Sequence, residues 1–192
     1  MSATATMDAP AQQPAAPGTL VIPKGCKPSK ACGTDRTRPM LCHAYLRKHD
    51  DAMWLCMTDS FIAVALRVET DAIEGFVPIG VLKLMETGKE GVQVSPTTWK
   101  VTVPDGTLTF DCADPRVAKF PDFENLGVWD RQESNAVDAI GMNGDMMARI
   151  SAALGARNGL RVDFLGPLRP LRVTPLGFDV GVALQMPIRL DA

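Results

Sequence analysis

The chain has no long apolar stretch and no strong excess of either charge. No segment approaches the roughly 18–20 continuous apolar residues that a membrane-spanning helix requires. The formal net charge of its 192 residues is −2, which argues against a protein that coats nucleic acid with a broad basic surface, although a local basic strip is still allowed. The first 18 residues have neither a basic start nor an apolar block, so they make a poor signal peptide. We therefore expect a soluble cytoplasmic protein with no membrane partner.

The sequence also offers little for catalysis. Its two histidines, His43 and His49, have no Ser, Cys or carboxylate motif around them. There is no glycine-rich loop of the kind that cradles a phosphate. We therefore predict that the protein has no catalytic residues and no cofactor, and that it is not an enzyme.

The cysteines are odd in number and scattered, at Cys26, Cys32, Cys42, Cys56 and Cys112. Free thiols are expected in a reducing compartment, and Cys42, Cys56 and Cys112 lie in apolar strand patterns where a thiol acts as a small hydrophobe. A zinc site on Cys26, Cys32, Cys42 and His43 is the alternative. Its spacing is not one of the usual close pairs, and neighbours on a strand such as Cys42 and His43 point to opposite faces. We therefore predict no metal site.

What the chain does have is enough apolar residues for a core, with 46% hydrophobic and 22% charged residues. From Met40 onward apolar and polar residues alternate, which predicts strands with one buried side over 40–46, 53–57 and 62–68. A turn at 49–51 separates the first two. Further alternation predicts strands at 92–94, 99–103 and 108–112, with a hairpin turn at 104–106. Three more strands are predicted between Leu160 and Leu184.

Two segments follow a helical period instead. The first spans 79–90, and the second spans 143–156 with Asn143 as its N-cap. Each is followed by three strands, so the unit of one helix and three strands occurs twice. Few helices and many strands predict the α+β class, with antiparallel sheets each covered by a short helix.

The same pattern divides the chain into segments. We predict a disordered arm at 1–18, because its Ala, Pro, Gln and Thr residues cannot bury enough surface to offset chain entropy. A folded domain at 19–123 and a linker at 124–141 follow. A final half-domain occupies 142–192.

The repeated unit, together with several short motifs, resembles the bacterial DNA polymerase III beta subunit (DNA sliding clamp) family. The most specific motif is the pentapeptide Met186-Pro187-Ile188-Arg189-Leu190, which is similar to the end of bacterial beta clamps. Asn143-Gly144-Asp145 through the final strand is similar to their last half-domain. Residues 38–123 are similar to the first clamp domain through four motifs, Arg38-Pro39-Met40-Leu41, Thr58-Asp59, Val77-Pro78 and Phe120-Pro121. The resemblance implies a DNA-clamp-like fold.

The chain also departs from that family. A bacterial clamp subunit has six half-units, each with a helix, whereas this chain has about three. The first half-unit has no candidate helix, because 18–37 is broken by Pro23, Gly25, Pro28 and Gly33. The middle of a clamp is missing.

The resemblance implies two binding surfaces. If the helices line a DNA channel, the phosphate contacts come from Lys83, Lys89, Arg149 and Arg157. The alternative is that these are ordinary solvated helix residues. Glu86 and Glu90 partly cancel the positive charge of Lys83 and Lys89. In bacterial clamps the C-terminal strand and pentapeptide help form an apolar groove for partner peptides. That implicates Leu184, Met186, Pro187 and Ile188 here. The alternative is that Leu184 and Met186 complete the core of the last strand.

Two function classes follow from the sequence. One is a replication accessory protein that tethers replication proteins to double-stranded DNA non-specifically, as a processivity factor does. The other is a clamp-derived decoy or adaptor that engages replication proteins without encircling DNA. Because three half-units leave strand edges unpaired, we also expect a homo-oligomer that contacts itself through edge strands.

Overall fold

A computed structural model describes residues 19–71, 74–87, 92–94, 98–103, 106–111, 119–130, 140–166, 168–177 and 179–188. The predicted arm at 1–18, Lys89, Cys112 and the hairpin turn at 104–105 lie outside these residues. Within them, no helix is long and apolar enough to cross a membrane.

The predicted elements occur in the predicted order, and two short strands that the sequence did not predict, Leu20–Val21 and Gly75–Pro78, are additional. The strands of the described residues are β1 Leu20–Val21, β2 His43–His49, β3 Ala52–Thr58, β4 Ile62–Thr70, β5 Gly75–Pro78, β6 Val92–Val94, β7 Thr98–Val103, β8 Gly106–Asp111, β9 Leu160–Phe164, β10 Leu171–Pro175 and β11 Gly181–Gln185. The α-helices are α1 Ile79–Glu86 and α2 Gly144–Ala153. Each helix is followed by three strands, and the strand pairs are antiparallel, so the predicted α+β class is confirmed.

Both helices begin where the sequence predicted and end earlier. Helix α1 follows Pro78 directly and ends at Glu86, where Thr87 caps it. Helix α2 has Asn143 as its N-cap, whose Oδ1 accepts hydrogen bonds from the backbone N–H groups of Asp145 and Met146 at 2.9 and 3.1 Å. It ends at Ala153 rather than at 156, because Gly155 has a φ of +61°, a left-handed conformation that a helix cannot continue through.

The segment before β2 contains short 3₁₀ turns and, within its described residues, no α-helix. Within the described residues of 19–42 these turns are Pro28–Ala31 and Pro39–Cys42, and each has proline at its start. The predicted strand over 40–46 was wrong in its first three residues. Pro39 fixes the φ of a turn, and β2 begins only at His43.

The large sheet combines strands from the first part of the chain with the last three strands. Its strand order is β5-β2-β3-β4-β11-β10-β9, with β1 pairing the far end of β4, while β6-β7-β8 form a separate sheet. The junction is the antiparallel pair of β4 and β11, with Leu66 opposite Gly181. A Cβ on Gly181 would lie 2.5 Å from the carbonyl oxygen of Ala65, so only glycine allows this close approach.

Both faces of the large sheet are covered. The helices and 3₁₀ turns bury one face, which we call the helix face, and its core includes Leu46, Leu66, Leu82, Ile150 and Leu154. The opposite face is covered by residues 119–130, which we call the strap. Phe123 and Val128 of the strap are fully buried. Because both faces are buried, β4 is apolar on both sides at 62–66, including Ala63 and Ala65.

Candidate functional site

An open concavity of about 630 Å³ lies on the helix face. The first 3₁₀ turn, the turn between β3 and β4, and helices α1 and α2 all contribute to its wall. Its charged lining residues are Lys30, Asp35, Arg38, Asp59, Lys83 and Arg149. Two of the cations predicted to contact DNA, Lys83 and Arg149, are thus brought together.

Lys83 is exposed on α1 and has no ion pair among the described residues. The carboxylate one turn later on the helix, that of Glu86, is turned away into a structural contact. Its two oxygens accept hydrogen bonds from the backbone N–H and the hydroxyl of Ser29, at 2.6 and 2.8 Å. Glu86 therefore fixes the first 3₁₀ turn against α1 and is already engaged there.

Arg149 has a different environment, because its guanidinium ties three parts of the chain together. It donates to the carbonyl oxygen of Lys30 at 2.8 Å and forms an ion pair with Asp59 at 2.5 Å. A longer hydrogen bond reaches the carbonyl oxygen of Cys32 at 3.4 Å. About a third of the Arg149 side chain is exposed, against 11% of Asp59. Arg149 is thus a structural residue whose outer edge faces the concavity.

A second carboxylate in the concavity, that of Asp35, is also paired. Hydrogen bonds from Thr37, and then from the Arg38 guanidinium at 3.0 Å, hold the pKa of Asp35 below its ordinary value. Of the four cations around the concavity, Arg38 and Arg149 therefore have carboxylate partners. Lys30 and Lys83 have none among the residues that the structure describes.

Sequence reasoning missed the basic N-terminal segment. Lys24, Lys27 and Lys30 are exposed and lie beside α2, since the backbone N–H of Lys27 donates to the carbonyl oxygen of Ala152 at 2.9 Å. Arg157, predicted from the sequence, is exposed in the turn after α2, beside Gly25. The sequence signal for this basic surface is the regular spacing of the three lysines, which lie three residues apart. It was missed because the prolines and glycines of 18–37 exclude an α-helix, so no helix face was searched for there.

The residues predicted to bind a partner peptide divide between the core and the surface. Leu184 is only 6% exposed and belongs to the core under the strap. Met186 and Ile188 are each 48% exposed, and Phe61 beside them is 55% exposed. Pro187 between them is half-buried. We call Phe61, Met186 and Ile188 the apolar end patch.

The backbone holds the apolar end patch together at one end of the large sheet. The N–H of Met186 donates to the carbonyl oxygen of Phe61, and the N–H of Ile188 donates to that of Gly141, each at 2.9 Å. Phe61 also lines the concavity. The patch and the cation-lined concavity are therefore neighbouring surfaces.

The cysteines and histidines have structural surroundings. Cys26, Cys32, Cys42 and Cys56 are free thiols, as predicted, and burial raises the pKa of Cys32 to about 12. The Nδ1 atom of His43 lies 2.8 Å from the carbonyl oxygen of Pro39, and the ring of His49 stacks on Trp129 at 4.0 Å. The described residues hold no group of three or more His, Cys, Asp or Glu side chains that could bind a metal ion.

Comparison with known proteins gives matches only at the level of structure. No protein-family model matches the chain, and no curated protein does. Among solved structures, the DNA polymerase III subunit beta of Borrelia burgdorferi matches with a TM-score of 0.70 and 12% identity, over 97% of this chain and 67% of that one. The beta subunit of Thermotoga maritima matches with a TM-score of 0.65 and 11% identity, over 97% and 68%.

The DNA polymerase sliding clamp of Bacillus subtilis matches with a TM-score of 0.60 and 14% identity, over 86% of this chain. This chain covers 61% of that clamp, which is less than two thirds of its length. The predicted DNA-clamp-like fold is confirmed by these matches, and at such low identity they establish the fold alone.

Proposed function

We propose that the protein is a sliding-clamp-like replication accessory protein without enzymatic activity, which holds double-stranded DNA non-specifically against its helix face. The observation that carries the proposal is the gathering of Lys30, Lys83 and Arg149 around one concavity on that face of a clamp fold. Flexible lysines suit a contact that must slide, because neutralising phosphates carries no sequence information. Arg157 and the exposed lysines of the N-terminal segment extend the same surface, and we include Lys89 in it from the sequence. The proposal concerns contact along the helix face and does not require a closed ring.

Lys30 and Lys83 give the cleanest test of this surface. Their exposed side chains make no ion pair among the described residues, so Lys30→Glu and Lys83→Glu should leave the fold intact. We expect the double variant to bind duplex DNA more weakly, by roughly tenfold for each contact near 50 mM salt. Its plot of log affinity against log salt should flatten by about 0.9 for each contact. Fluorescence anisotropy with a labelled duplex measures both quantities.

The matched control for that test is Lys119→Glu. Lys119 is equally exposed but belongs to the strap, on the opposite face of the sheet. The proposal requires this control to bind DNA nearly as the wild type does. Equal losses in the control and the double variant would mean that only the total charge matters, and the helix-face site would be discarded.

A second candidate function is a clamp-derived adaptor or decoy that binds replication proteins without holding DNA. The observation that favours it is the carboxylate pairing of Arg38 and Arg149, which neutralises half of the cations around the concavity. In both functions the apolar end patch receives short clamp-binding peptides. Its Met186 and Ile188 side chains are flexible and half exposed, which suits a groove that adapts to different peptides. The half-buried Pro187 would form the floor of the groove, and Leu184 would support it from the core under the strap.

Truncation of the apolar end patch separates peptide binding from DNA binding. Met186→Ala with Ile188→Ala should weaken a fluorescent peptide taken from a bacterial replicative polymerase by roughly tenfold, about 1.4 kcal/mol. Duplex DNA affinity should stay within twofold of the wild type. Leu126→Ala is the control, because Leu126 is similarly exposed, at 46%, but lies in the strap. Unchanged peptide affinity in the double variant would remove the patch from the proposal.

A further inference from the structure

The sequence contains two Asn-Gly dipeptides, Asn143-Gly144 and Asn158-Gly159. In such a pair the backbone nitrogen of the glycine can attack the asparagine carboxamide, because glycine has no side chain to hinder the approach. The carboxamide then loses ammonia and ends as a carboxylate, which adds one negative charge to the protein. Whether each pair reacts depends on how its carboxamide and its glycine N–H are held in the fold.

Asn158-Gly159 lies in the exposed turn between α2 and β9. The Asn158 carboxamide makes no hydrogen bond to the residues that the structure describes. Its Nδ2 atom lies against Gly177, where a Cβ would be 3.6 Å away, so no side chain covers it from that side. The carbonyl oxygen of Gly159 accepts from the N–H of Leu176 at 3.0 Å, while the N–H of Gly159 has no hydrogen-bond partner in the described part of the chain. Both reacting groups are therefore available.

Asn143-Gly144 is held differently, because Asn143 is the N-cap of α2. Its Oδ1 accepts hydrogen bonds from the backbone N–H groups of Asp145 and Met146. Lack of space does not protect this pair, since a Cβ on Gly144 would meet no other atom within 4 Å. Before its carboxamide can be attacked, both cap hydrogen bonds must break and the first turn of the helix must open. Asn143 should therefore react more slowly than Asn158.

We propose that Asn158 is a site of spontaneous deamidation, selected over Asn143 by the fold. The backbone nitrogen of Gly159 gives up its proton and bonds to Cγ of Asn158, and the Cγ–Nδ2 bond breaks to release ammonia. The product is a five-membered succinimide ring. Water then opens the ring at one of its carbonyl carbons, which leaves either aspartate or isoaspartate at position 158. Water is the only co-reactant, and no oxidant or enzyme is needed.

The new carboxylate falls beside a basic part of the surface. Asn158 follows Arg157, which lies beside Gly25 in the segment that carries Lys24 and Lys27. Each deamidation lowers the positive charge of this corner by one and cannot be reversed without further chemistry. It therefore weakens DNA contact slowly as the protein ages. This consequence rests on the proposed function, whereas the reaction itself does not.

Incubation of the folded wild-type protein, followed by peptide mapping with mass spectrometry, tests the site. The peptide that contains Asn158 should gain the mass of an NH₂-to-OH exchange, at least about fivefold faster than the peptide that contains Asn143. The rate should rise with pH, because the attacking nitrogen must lose its proton. Equal rates at the two asparagines in the folded protein, or a faster reaction at Asn143, overturn the proposal.

Two controls separate the effect of the fold from that of the sequence. In protein unfolded by denaturant the cap hydrogen bonds are lost, so the two asparagines should react at nearly equal rates, because glycine follows each of them. Asn158→Gln keeps a carboxamide but lengthens the side chain by one CH₂ group. The five-membered ring cannot form in this variant, which should stay unmodified at position 158. An unfolded chain that prefers Asn158 as strongly as the folded protein does overturns selection by the fold.

Asn158→Asp carries the aspartate product from the start and tests the consequence for DNA. We expect it to bind duplex DNA roughly threefold more weakly than the wild type near 50 mM salt, because the carboxylate repels phosphates and competes for Arg157. Leu126→Asp adds the same charge in the strap and should bind nearly as the wild type does. If the wild type binds DNA and Asn158→Asp binds it equally well, the consequence is overturned. A wild type that binds no DNA contradicts the proposed function instead, and the peptide map still decides the modification site.

Discussion

Replacement of Phe123 by alanine is expected to lower the free energy of unfolding by about 3–5 kcal/mol, the usual cost of removing a fully buried aromatic side chain. Phe123 is completely buried between the strap and the sheet. Its ring contacts those of Phe120 and Trp129, with centroids 5.8 and 6.0 Å away. For a chain of this size the melting temperature should fall by roughly 10 °C or more. Denaturant unfolding followed by tryptophan fluorescence measures the loss.

The loss of stability should be specific to Phe123, the buried residue that packs the strap against the sheet. Leu126→Ala alters the same segment at a side chain that is 46% exposed, and it should change the free energy of unfolding by less than about 0.5 kcal/mol. Loss of the strap would expose Ala63, Ala65 and Leu184 on the sheet face opposite the helix face. The Phe123→Ala variant should therefore also bind a hydrophobic dye. Equal stability of the Phe123→Ala and Leu126→Ala variants would contradict the strap as part of the core.

Charge reversal at Arg149 is expected to cost about 3 kcal/mol of stability, at the low end for breaking a buried ion pair because Arg149 is one-third exposed. A glutamate there would face Asp59 and would leave the carbonyl oxygen of Lys30 without its donor. Asp59 also accepts from the backbone N–H groups of Phe61 and Ile62 at 2.8 and 2.9 Å, so the turn before β4 should loosen too. Thermal melting followed by circular dichroism should show a fall of about 6–12 °C.

Arg157→Glu is the comparison for that variant. Arg157 is an exposed cation in the turn after α2, so its reversal should move the melting temperature by no more than about 2 °C. From the sequence alone, Arg149 and Arg157 are two equivalent cations of the second predicted helix. The contacts of Arg149 make them different. A variant Arg149→Glu that melts with the wild type would show that these contacts contribute little.

Local patterns predicted the elements well. The helical period of 79–90 and the N-cap Asn143 placed both helices, because capping and the choice of buried face are settled by residues close in sequence. The alternation at 62–68 placed β4 for the same reason. Residues 40–42 were wrongly predicted as strand because they continue the apolar alternation. Pro39 begins a 3₁₀ turn there, and the strand starts only after it.

Contacts between distant residues could not be predicted in the same way. The pairing of β4 with β11 joins residues more than a hundred positions apart, and no local pattern specifies it. The second apolar side of β4, at Ala63 and Ala65, indicated that another part of the chain covers the sheet face opposite the helix face. The strap was nevertheless interpreted as the end of a domain and a linker, because its prolines, glycines and charges suggested only an irregular crossing.

The candidate site was predicted in part for a related reason. Residue type identified Lys83 and Arg149 as cations on helices, but only the fold shows that one is unpaired among the described residues and the other is held by Asp59. Likewise the C-terminal pentapeptide pointed to Met186 and Ile188, and both are half exposed. Leu184 lies only two residues before Met186, yet the strap buries it.

The salt dependence of binding to duplex DNA by the wild-type protein tests the central claim most directly. With two to four cations of the helix face contacting phosphates, the account predicts measurable binding near 50 mM salt and a log–log slope of about −2 to −4. That slope should fall by roughly half or more in the Lys30→Glu, Lys83→Glu double variant. No binding at low salt, or an affinity that does not change with salt, would contradict DNA contact along the helix face and leave the adaptor function in its place.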